Sequence, residues 1–270
     1  MKAKELAYLL GLKPKPRTYG YTVRRFELPK DGVVEYAQWS HPREALKEIR
    51  QEVVNELRTF LRPGDVAIDI GAHAGDTTVP MALAVGPGGC VLALEPNRYV
   101  FPVLEANARL NLDKTRIIPL MIAATPRDEA MEFEYSDSGF CNGGRHEGIN
   151  RWRHAHAFKL RVDGRHLPSL LQHDYAELVP RIRFIKVDAE GYDFAILQSL
   201  SDLLRQTRCY VKAEVFRHTD QATREAMFDF LSAQGYTIRH VAGDANYHGQ
   251  VLTAADTMRW PHFDVFCEPA

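Results

Sequence analysis

Residues 66–76 read Val-Ala-Ile-Asp-Ile-Gly-Ala-His-Ala-Gly-Asp. The apolar start predicts a buried strand, and the two glycines, four positions apart, predict a tight turn that leads into a helix. A second apolar run, residues 90–94, ends at Glu95, twenty positions after Gly75. A strand, a glycine turn, a helix, a strand and an acid in this order are typical of α/β folds that bind an adenosine-containing cofactor. The sequence therefore predicts a cofactor-dependent enzyme.

The spacing of the glycines restricts the type of cofactor. A dinucleotide-binding turn has the pattern G-x-G-x-x-G, but histidine occupies position 73, where the backbone must pass close to a pyrophosphate. No basic side chain lies near a presumed pyrophosphate, and no G-x-x-x-x-G-K-[ST] loop is present. A cofactor without phosphates, S-adenosylmethionine (SAM), fits better. Two alternatives stay open, an NAD-dependent oxidoreductase and a SAM-binding scaffold domain without catalytic activity.

Each residue around the glycine turn has a predicted part in holding SAM. The two glycines shape the turn beside the amino-acid portion, while Asp69 orients the turn or binds the ligand ammonium. Glu95 accepts hydrogen bonds from the ribose hydroxyls, residues 96–97 form the edge of the adenine pocket, and Asp76 caps the following helix. The structural alternative is a simple turn with Glu95 as a solvated acid. The predicted cofactor-binding residues are Asp69, Gly71, Ala72, His73, Gly75, Glu95, Pro96, Asn97 and Glu190.

A second group of polar residues ends a later apolar strand. Alternation along this strand places Lys186 and Asp188 on the same side. Asp188 and Glu190 are therefore expected at the carboxyl edge of the sheet, beside the glycine turn. One strand later, Glu214 and His218 are expected at the same edge.

These carboxylates and the histidine can act on an acceptor hydroxyl in two ways. A general base removes the hydroxyl proton as the oxygen attacks a methyl group, and Asp188, Glu214 and His218 are the predicted catalytic residues. Alternatively, a divalent cation such as Mg²⁺, with Asp188 and Glu214 as candidate ligands, lowers the pKa of the hydroxyl. In a purely structural alternative, Asp188 and Glu190 cap the following helix and Glu214 pairs with an arginine.

The rest of the chain alternates between strand and helix patterns. Strands are predicted at 66–70, 90–94, 117–122, 183–188, 209–215, 236–241 and 263–267, and helices at 76–85, 98–110, 168–178, 193–205 and 221–234. Such alternation predicts a seven-stranded, mainly parallel α/β sheet with helices on both faces. Because a loop rather than a helix joins the last two strands, the terminal strand is predicted to be antiparallel.

Two regions lie outside this alternation. Residues 1–62 form a predicted N-terminal accessory segment, with short β elements at 17–36 and an amphipathic helix at 42–61. The cofactor-binding domain is predicted to span 63–270, with an insert at 136–157 that covers the substrate pocket. The sequence leaves open whether the predicted helix packs within the chain or across a homodimer.

The composition is that of an ordinary globular protein, with 45% hydrophobic and 26% charged residues in a chain of 270. A net charge of −1 gives little attraction to nucleic acid, so no nucleic-acid partner is expected. No apolar run approaches the roughly 20 residues that span a bilayer, and the four cysteines form no C-x-x-C pair. We therefore expect a cytoplasmic protein with reduced thiols.

Together the motifs resemble those of the FkbM-type SAM-dependent methyltransferases. The resemblance covers about residues 50–270 and rests on residues 69–76, 94–97, 107 with 111, and 185–191. It implies the seven-stranded, Rossmann-like fold of the class I methyltransferases. It also implies methyl transfer to oxygen, often to a sugar hydroxyl of a polysaccharide, glycolipid or natural product. By position, Gly71, Gly75 and Glu95 would bind SAM, and Asp188 and Glu190 would line the reaction centre.

The sequence departs from the family pattern in three places. His73 and Asp193 stand where the family commonly has asparagine and glutamate, and residues 123–124 are alanines where an acid is often found near the adenine. The sequence thus predicts a SAM-dependent O-methyltransferase that acts on a hydroxyl of a sugar, a glycan or a glycosylated natural product. The predicted partner is a small-molecule or glycan acceptor.

Overall fold

The computed structural model describes residues 14–141, 143–144 and 158–270. Most of the predicted insert at 136–157, and with it the predicted cover of the substrate pocket, lies outside the described residues. The strands are β1 (Tyr21–Leu28), β2 (Gly32–Trp39), β3 (Val66–Ile70), β4 (Cys90–Leu94), β5 (Ile117–Leu120), β6 (Ala123–Thr125), β7 (Glu129–Tyr135), β8 (Gly143–Gly144), β9 (Phe158–His166), β10 (Ile182–Val187), β11 (Tyr210–Val215), β12 (Tyr236–Val241) and β13 (Phe263–Pro269). The helices are α1 (Gln51–Leu57), α2 (Thr78–Val85), α3 (Phe101–Arg109), α4 (Leu167–Asp174), α5 (Asp193–Ser199), α6 (Ser201–Thr207) and α7 (Gln221–Ala233).

The central sheet has seven strands in the order β12-β13-β11-β10-β3-β4-β5. All neighbouring pairs are parallel except the two that involve β13, which is antiparallel to both β11 and β12. This confirms the predicted seven-stranded, mainly parallel α/β fold with an antiparallel terminal strand, which lies one position in from the edge. The chain order reverses between β3 and β10, and ligands of such sheets bind at the carboxyl ends of the strands there.

Strands β3 and β4 are covered on both faces. Every residue of β3 and β4 is buried, and both strands have the predicted bounds. Helix α2, which follows the glycine turn, is also buried along its whole length. It packs in one apolar cluster with Tyr36, Val54 and Leu57 of the N-terminal segment. The N-terminal segment therefore covers the helix that starts at the glycine turn.

The hairpin β1–β2 docks on helix α3 and the segment that follows it through two asparagines. Asn107 accepts a hydrogen bond from the Ala37 amide (2.7 Å) and donates to the carbonyls of Ala37 (3.0 Å) and Ala74 (2.7 Å). Asn111 accepts from the amide of Glu35 and donates to its carbonyl, both at 2.8 Å. The two side-chain amides thus satisfy backbone N–H and C=O groups at the outer edge of β2. Asn107 also links the hairpin to the glycine turn.

The predicted amphipathic helix at 42–61 is wrong in its first half. Helix α1 begins only at Gln51 and ends at Leu57. The side chain of Gln38 accepts a hydrogen bond from the Lys47 amide (2.8 Å) and donates to the Ala45 carbonyl (3.2 Å). Side-chain bonds of this kind compete with helix formation. They hold residues 40–50 in an irregular segment, which we call the 40–50 loop.

A four-stranded accessory sheet has the order β6-β9-β7-β8. Its strands β7 and β9 flank the predicted insert at 136–157. An aromatic cluster packs beside this sheet, with the rings of Tyr99 and Phe140 stacked at 4.2 Å and Tyr135 edge-on to Phe140. In the part of the chain that the structure describes, no helix has the length and apolar character needed to cross a membrane.

Candidate active site

A pocket of 340 Å³ lies at the carboxyl ends of β3, β4 and β10, where the strand order reverses. Its other walls come from the accessory sheet and from the 40–50 loop, and its size is that of a small-molecule site. The predicted site residues that line it are Gly71, His73, Glu95, Pro96, Asn97, Asp188 and Glu190. Five predicted site residues do not line the pocket in the part of the chain that the structure describes: Asp69, Ala72, Gly75, Glu214 and His218.

The glycine turn depends on close approaches that a side chain would prevent. Gly71 has a φ of 79°, and a Cβ at this position would lie 2.0 Å from the carbonyl oxygen of Asp188. Gly75 has a φ of 98°, and a Cβ there would lie 3.1 Å from Cδ1 of Leu104 in α3. Gly71 thus lets the ends of β3 and β10 meet, and Gly75 lets α3 pack against the turn.

Glu95 lies at the end of β4 and holds the turn from the other side. Its Oε2 accepts a hydrogen bond from the His73 amide (2.8 Å), and its Oε1 accepts one from the Asn97 amide (2.7 Å). Burial raises the pKa of Glu95, although the charge of His73 and the two amides lower it in part. Each oxygen keeps a further lone pair, and residues 122–124 add an apolar wall. A carboxylate beside an apolar wall fits a ribose and an adenine.

Asp69 is fully buried beneath the turn. Its Oδ2 accepts hydrogen bonds from the hydroxyls of Thr77 (2.8 Å) and Thr78 (2.6 Å), and its Oδ1 lies 3.3 Å from Nζ of Lys186. Of the two roles predicted for Asp69, this arrangement fits orientation of the turn. It does not fit direct contact with a ligand ammonium.

Asp76 does not cap the following helix, so that prediction is wrong. Helix α2 has no side-chain cap, and Oδ2 of Asp76 instead lies 2.9 Å from Nζ of Lys47 in the 40–50 loop. Burial favours the neutral acid, but Lys47 holds the pKa of Asp76 below its usual value. Sequence reasoning missed Lys47, because it placed this residue on a helix and no local motif connects positions 47 and 76.

Lys186 and Asp188 lie on the same side of β10, as predicted. Nζ of Lys186 lies 3.2 Å from Oδ2 of Asp188 and donates a hydrogen bond to the Gly71 carbonyl at 3.5 Å. Burial alone would lower the pKa of Lys186, but Asp188 and Asp69 raise it above its usual value. Burial opposes ionisation of Asp188, but Lys186 holds the pKa of this carboxyl below its usual value. Asp188 is therefore an ionised carboxylate in the pocket.

The turn after β10 is held by Asp193 rather than by the two acids before it. The carboxylate of Asp193 accepts hydrogen bonds from the amides of Ala189 (3.0 Å) and Gly191 (2.9 Å). Burial, followed by the charge of Asp188, raises the pKa of Asp193 to about 7. Glu190 has a left-handed backbone, with a φ of 53°, and is exposed at the wall of the pocket. The alternative in which Asp188 and Glu190 cap the helix is therefore wrong.

Glu214 and His218 do not join Asp188 in the pocket. Glu214 is buried on the neighbouring strand β11, and His218 is exposed and packs edge-on against Phe216. Among the described residues, no three His, Cys, Asp or Glu side chains are grouped so that they could hold a metal ion. The predicted cation site at Asp188 and Glu214 is therefore not supported, since Lys186 is the cation beside Asp188.

Glu214 should make the protein less stable as the pH rises. Burial, followed by the charges of Asp188 and Asp193, raises its pKa to about 9, from 4.5 for an ordinary glutamate. Between these values the folded state keeps a proton that the unfolded state has lost. The free energy of unfolding therefore falls with pH, by at most about 1.4 kcal/mol per unit. Urea denaturation at pH 7 and pH 9 should show a weaker pH dependence for Glu214→Gln than for wild type.

An exposed glutamate provides the control for this measurement. Glu177→Gln, on the surface after α4, should follow the wild-type dependence on pH. Parallel profiles for Glu214→Gln and wild type would show that Glu214 is ionised in both the folded and the unfolded state.

A methyltransferase FkbM domain model matches residues 69–238 of this chain. No curated protein matches its sequence. Among solved structures, it is similar to methyltransferase FkbM from Methylobacillus flagellatus KT, with 16% identity and a TM-score of 0.47, over 77% of this chain and 44% of that one. It is also similar to Aeropyrum pernix fibrillarin in complex with natively bound SAM, with 12% identity and a TM-score of 0.42, over 94% and 96% of the two chains. This chain thus spans less than half of the Methylobacillus protein.

The matched segment begins in β3 and ends in β12. It therefore includes the glycine turn, Glu95 and Asp188, and it covers more than half of the chain. This protein belongs to the FkbM family of SAM-dependent methyltransferases.

Proposed function

We propose that this protein is a SAM-dependent O-methyltransferase that methylates a hydroxyl of a sugar, a glycan or a glycosylated natural product. The observation that carries the proposal is the carboxylate of Asp188, which lines the pocket beside the glycine turn and is held ionised by Lys186. An ionised carboxylate at this place can accept a hydrogen bond from an acceptor hydroxyl next to the cofactor.

In this proposal the residues at the carboxyl ends of β3 and β4 would hold the cofactor. Glu95 would accept hydrogen bonds from the ribose hydroxyls, and the apolar residues 122–124 would form the wall beside the adenine. When bound, SAM supplies an electrophilic methyl group. Asp69, Ala72 and Gly75, which are not among the described residues of the pocket wall, shape the turn.

Asp188 then takes the proton of the acceptor hydroxyl. A hydroxyl oxygen becomes strongly acidic as it gains a methyl group, so a carboxylate with a lowered pKa is still basic enough to remove the proton. Much of the rate comes from holding this oxygen in line with the methyl group. Of the three predicted catalytic residues, Asp188 is the one that the described pocket wall includes, so we assign the role of base to it.

The remaining walls support a polyhydroxylated acceptor. The exposed carboxylate of Glu190 can accept hydrogen bonds from hydroxyls, and the rings of Phe133 and Tyr192 offer apolar faces for a sugar ring. A sugar presents both kinds of surface, hydroxyls at its edge and C–H groups on its faces. The acceptor class therefore agrees with the chemistry of the pocket wall.

Asp188→Asn should lower the kcat of methyl transfer by about 100-fold and leave the affinity for S-adenosylhomocysteine within about twofold of wild type. The amide keeps the shape of the carboxylate but cannot take a proton. Methyl transfer from SAM to a panel of sugars, oligosaccharides and glycosylated small molecules is measured by mass spectrometry, and cofactor affinity by calorimetry. Asp174→Asn, an exposed carboxylate at the end of α4, is the matched control and should behave as wild type.

The outcomes separate the alternatives. An unchanged kcat in Asp188→Asn would remove the proposed base. Tight binding of S-adenosylhomocysteine without methylation of any hydroxyl in the panel would favour a SAM-binding scaffold. Binding of NAD in place of S-adenosylhomocysteine would favour an oxidoreductase.

A further inference from the structure

The 40–50 loop contributes two charged residues, Glu44 and Lys47, to the wall of the pocket. Both lie outside the segment 69–238 that matches the family. The loop is fixed by the glutamine bonds described above and by His41, which is buried and lies 3.1 Å from a carboxylate oxygen of Asp137. The loop therefore keeps Glu44 and Lys47 in place at the wall of the pocket.

Glu44 carries a buried carboxylate with an unused acceptor. Its side chain is only 7% exposed, and its Oε1 accepts no hydrogen bond from the described part of the chain. Its Oε2 lies 3.9 Å from Nε2 of His73 and 3.9 Å from the Cys141 thiol. The Lys47 ammonium lies 3.5 Å from Oε1 without a hydrogen bond to it. A buried acceptor without a close donor is unfavourable, so Oε1 is a place where a ligand can donate a hydrogen bond.

Two carboxylates lie close to Lys47, and the next basic group is the imidazole of His73, 3.9 Å from Glu44. Nζ of Lys47 lies 2.9 Å from Asp76 and 3.5 Å from Oε1 of Glu44, so that two carboxylates face one ammonium. A ligand cation beside Glu44 would balance the second carboxylate. A ligand anion beside Lys47 is favourable only if such a cation accompanies it. A zwitterion meets both conditions.

We propose that Glu44 binds the α-ammonium of SAM and that Lys47 faces its α-carboxylate. His73 connects the two parts of the site, because its amide donates to Glu95 while its ring lies next to Glu44. With the ribose at Glu95, the zwitterionic amino-acid portion of SAM would lie past His73, toward the 40–50 loop. Asp69 cannot take the ammonium, since it is fully buried beneath the turn. The proposal rests on SAM as the cofactor and is independent of the acceptor.

Two ligands isolate this contact from the rest of the site. S-adenosylhomocysteine carries the amino-acid portion, whereas 5′-methylthioadenosine lacks it. In calorimetric titrations, Glu44→Gln should weaken binding of S-adenosylhomocysteine by at least about tenfold and change the Kd of 5′-methylthioadenosine by less than about twofold. Lys47→Gln should show the same selectivity. Glu48→Gln, an exposed carboxylate in the same loop, is the matched control and should bind both ligands as wild type does.

Three results would overturn the proposal. The first is equal affinity of wild type and Glu44→Gln for S-adenosylhomocysteine. The second is an equal loss for both ligands together with a lower Tm, which is what a purely structural role in holding the 40–50 loop predicts. The third is wild-type protein that binds neither ligand, which would also remove SAM as the cofactor. The first two results would leave SAM as the cofactor.

Discussion

Gly71→Ala is expected to lower the free energy of unfolding by about 4 kcal/mol and to abolish binding of S-adenosylhomocysteine. The substitution meets two separate obstacles. The φ of 79° is strained for any residue with a Cβ, and the new methyl group would lie 2.0 Å from the Asp188 carbonyl oxygen. That oxygen belongs to the backbone at the end of β10, so it cannot rotate away as a side chain could. Relief requires the ends of β3 and β10 to separate.

Gly86→Ala is the matched control, because Gly86 also has a positive φ, 67°, but has open space around its Cβ position. This variant should lose only the backbone component, about 1–3 kcal/mol, and should bind S-adenosylhomocysteine as wild type does. Urea denaturation gives the two losses of stability, and calorimetry gives the two affinities. Equal losses in the two variants would show that the contact between Gly71 and Asp188 contributes nothing beyond backbone strain.

The central sheet and the cofactor turn could be predicted because their signals are local. Strands that are buried on both faces are continuous apolar runs, so the predicted bounds 66–70 and 90–94 agree with β3 and β4. Alternation along a single strand was enough to place Lys186 beside Asp188. The position of Glu95 could be predicted because this residue comes directly after the apolar run of its own strand. None of these inferences needs information about distant parts of the chain.

The 40–50 loop could not be predicted, because its position depends on contacts between distant elements. The apolar positions at 46–60 have helical spacing, but Leu46, the first of them, is 75% exposed. Local periodicity was overridden by the side chain of Gln38, which is itself placed by the docking of β2 on Asn107. Glu44 and Lys47 reach the pocket only through this chain of contacts.

Glu214 shows a different limit of sequence reasoning. The sequence places Glu214 on the correct strand, β11, but it does not show which neighbours surround this residue. Strand β13 pairs with β11 in antiparallel register and sets Asp264 opposite Glu214, and Nε2 of His262 lies 3.6 Å from Oε1 of Glu214. Since β11 is also separated from β3 by β10, Glu214 lies one strand further from the glycine turn than Asp188. Long-range strand order therefore decides which of the predicted acids line the pocket.

Lys186→Met is expected to lower the free energy of unfolding by about 3–5 kcal/mol. The side chain of Lys186 is 4% exposed, and it is the cation beside the carboxylates of Asp69 and Asp188. Methionine fills a similar volume but leaves the fully buried Asp69 with an uncompensated charge. Lys159→Met is the control, since Lys159 pairs with Glu132 on the surface. It should change stability by less than about 1 kcal/mol.

A second substitution identifies which carboxylate causes the loss. The side chain of Asp69 is 0% exposed, whereas that of Asp188 is 45% exposed and can be solvated without Lys186. Asp69→Asn should therefore recover about 1–2 kcal/mol in the Lys186→Met background, because its amide oxygen can still accept from Thr77 and Thr78. Asp188→Asn should recover much less in the same background. Equal recovery by the two substitutions would mean that Lys186 serves the pocket carboxylate as much as the buried one. The glycine turn would then not depend on the pairing of Lys186 with Asp69.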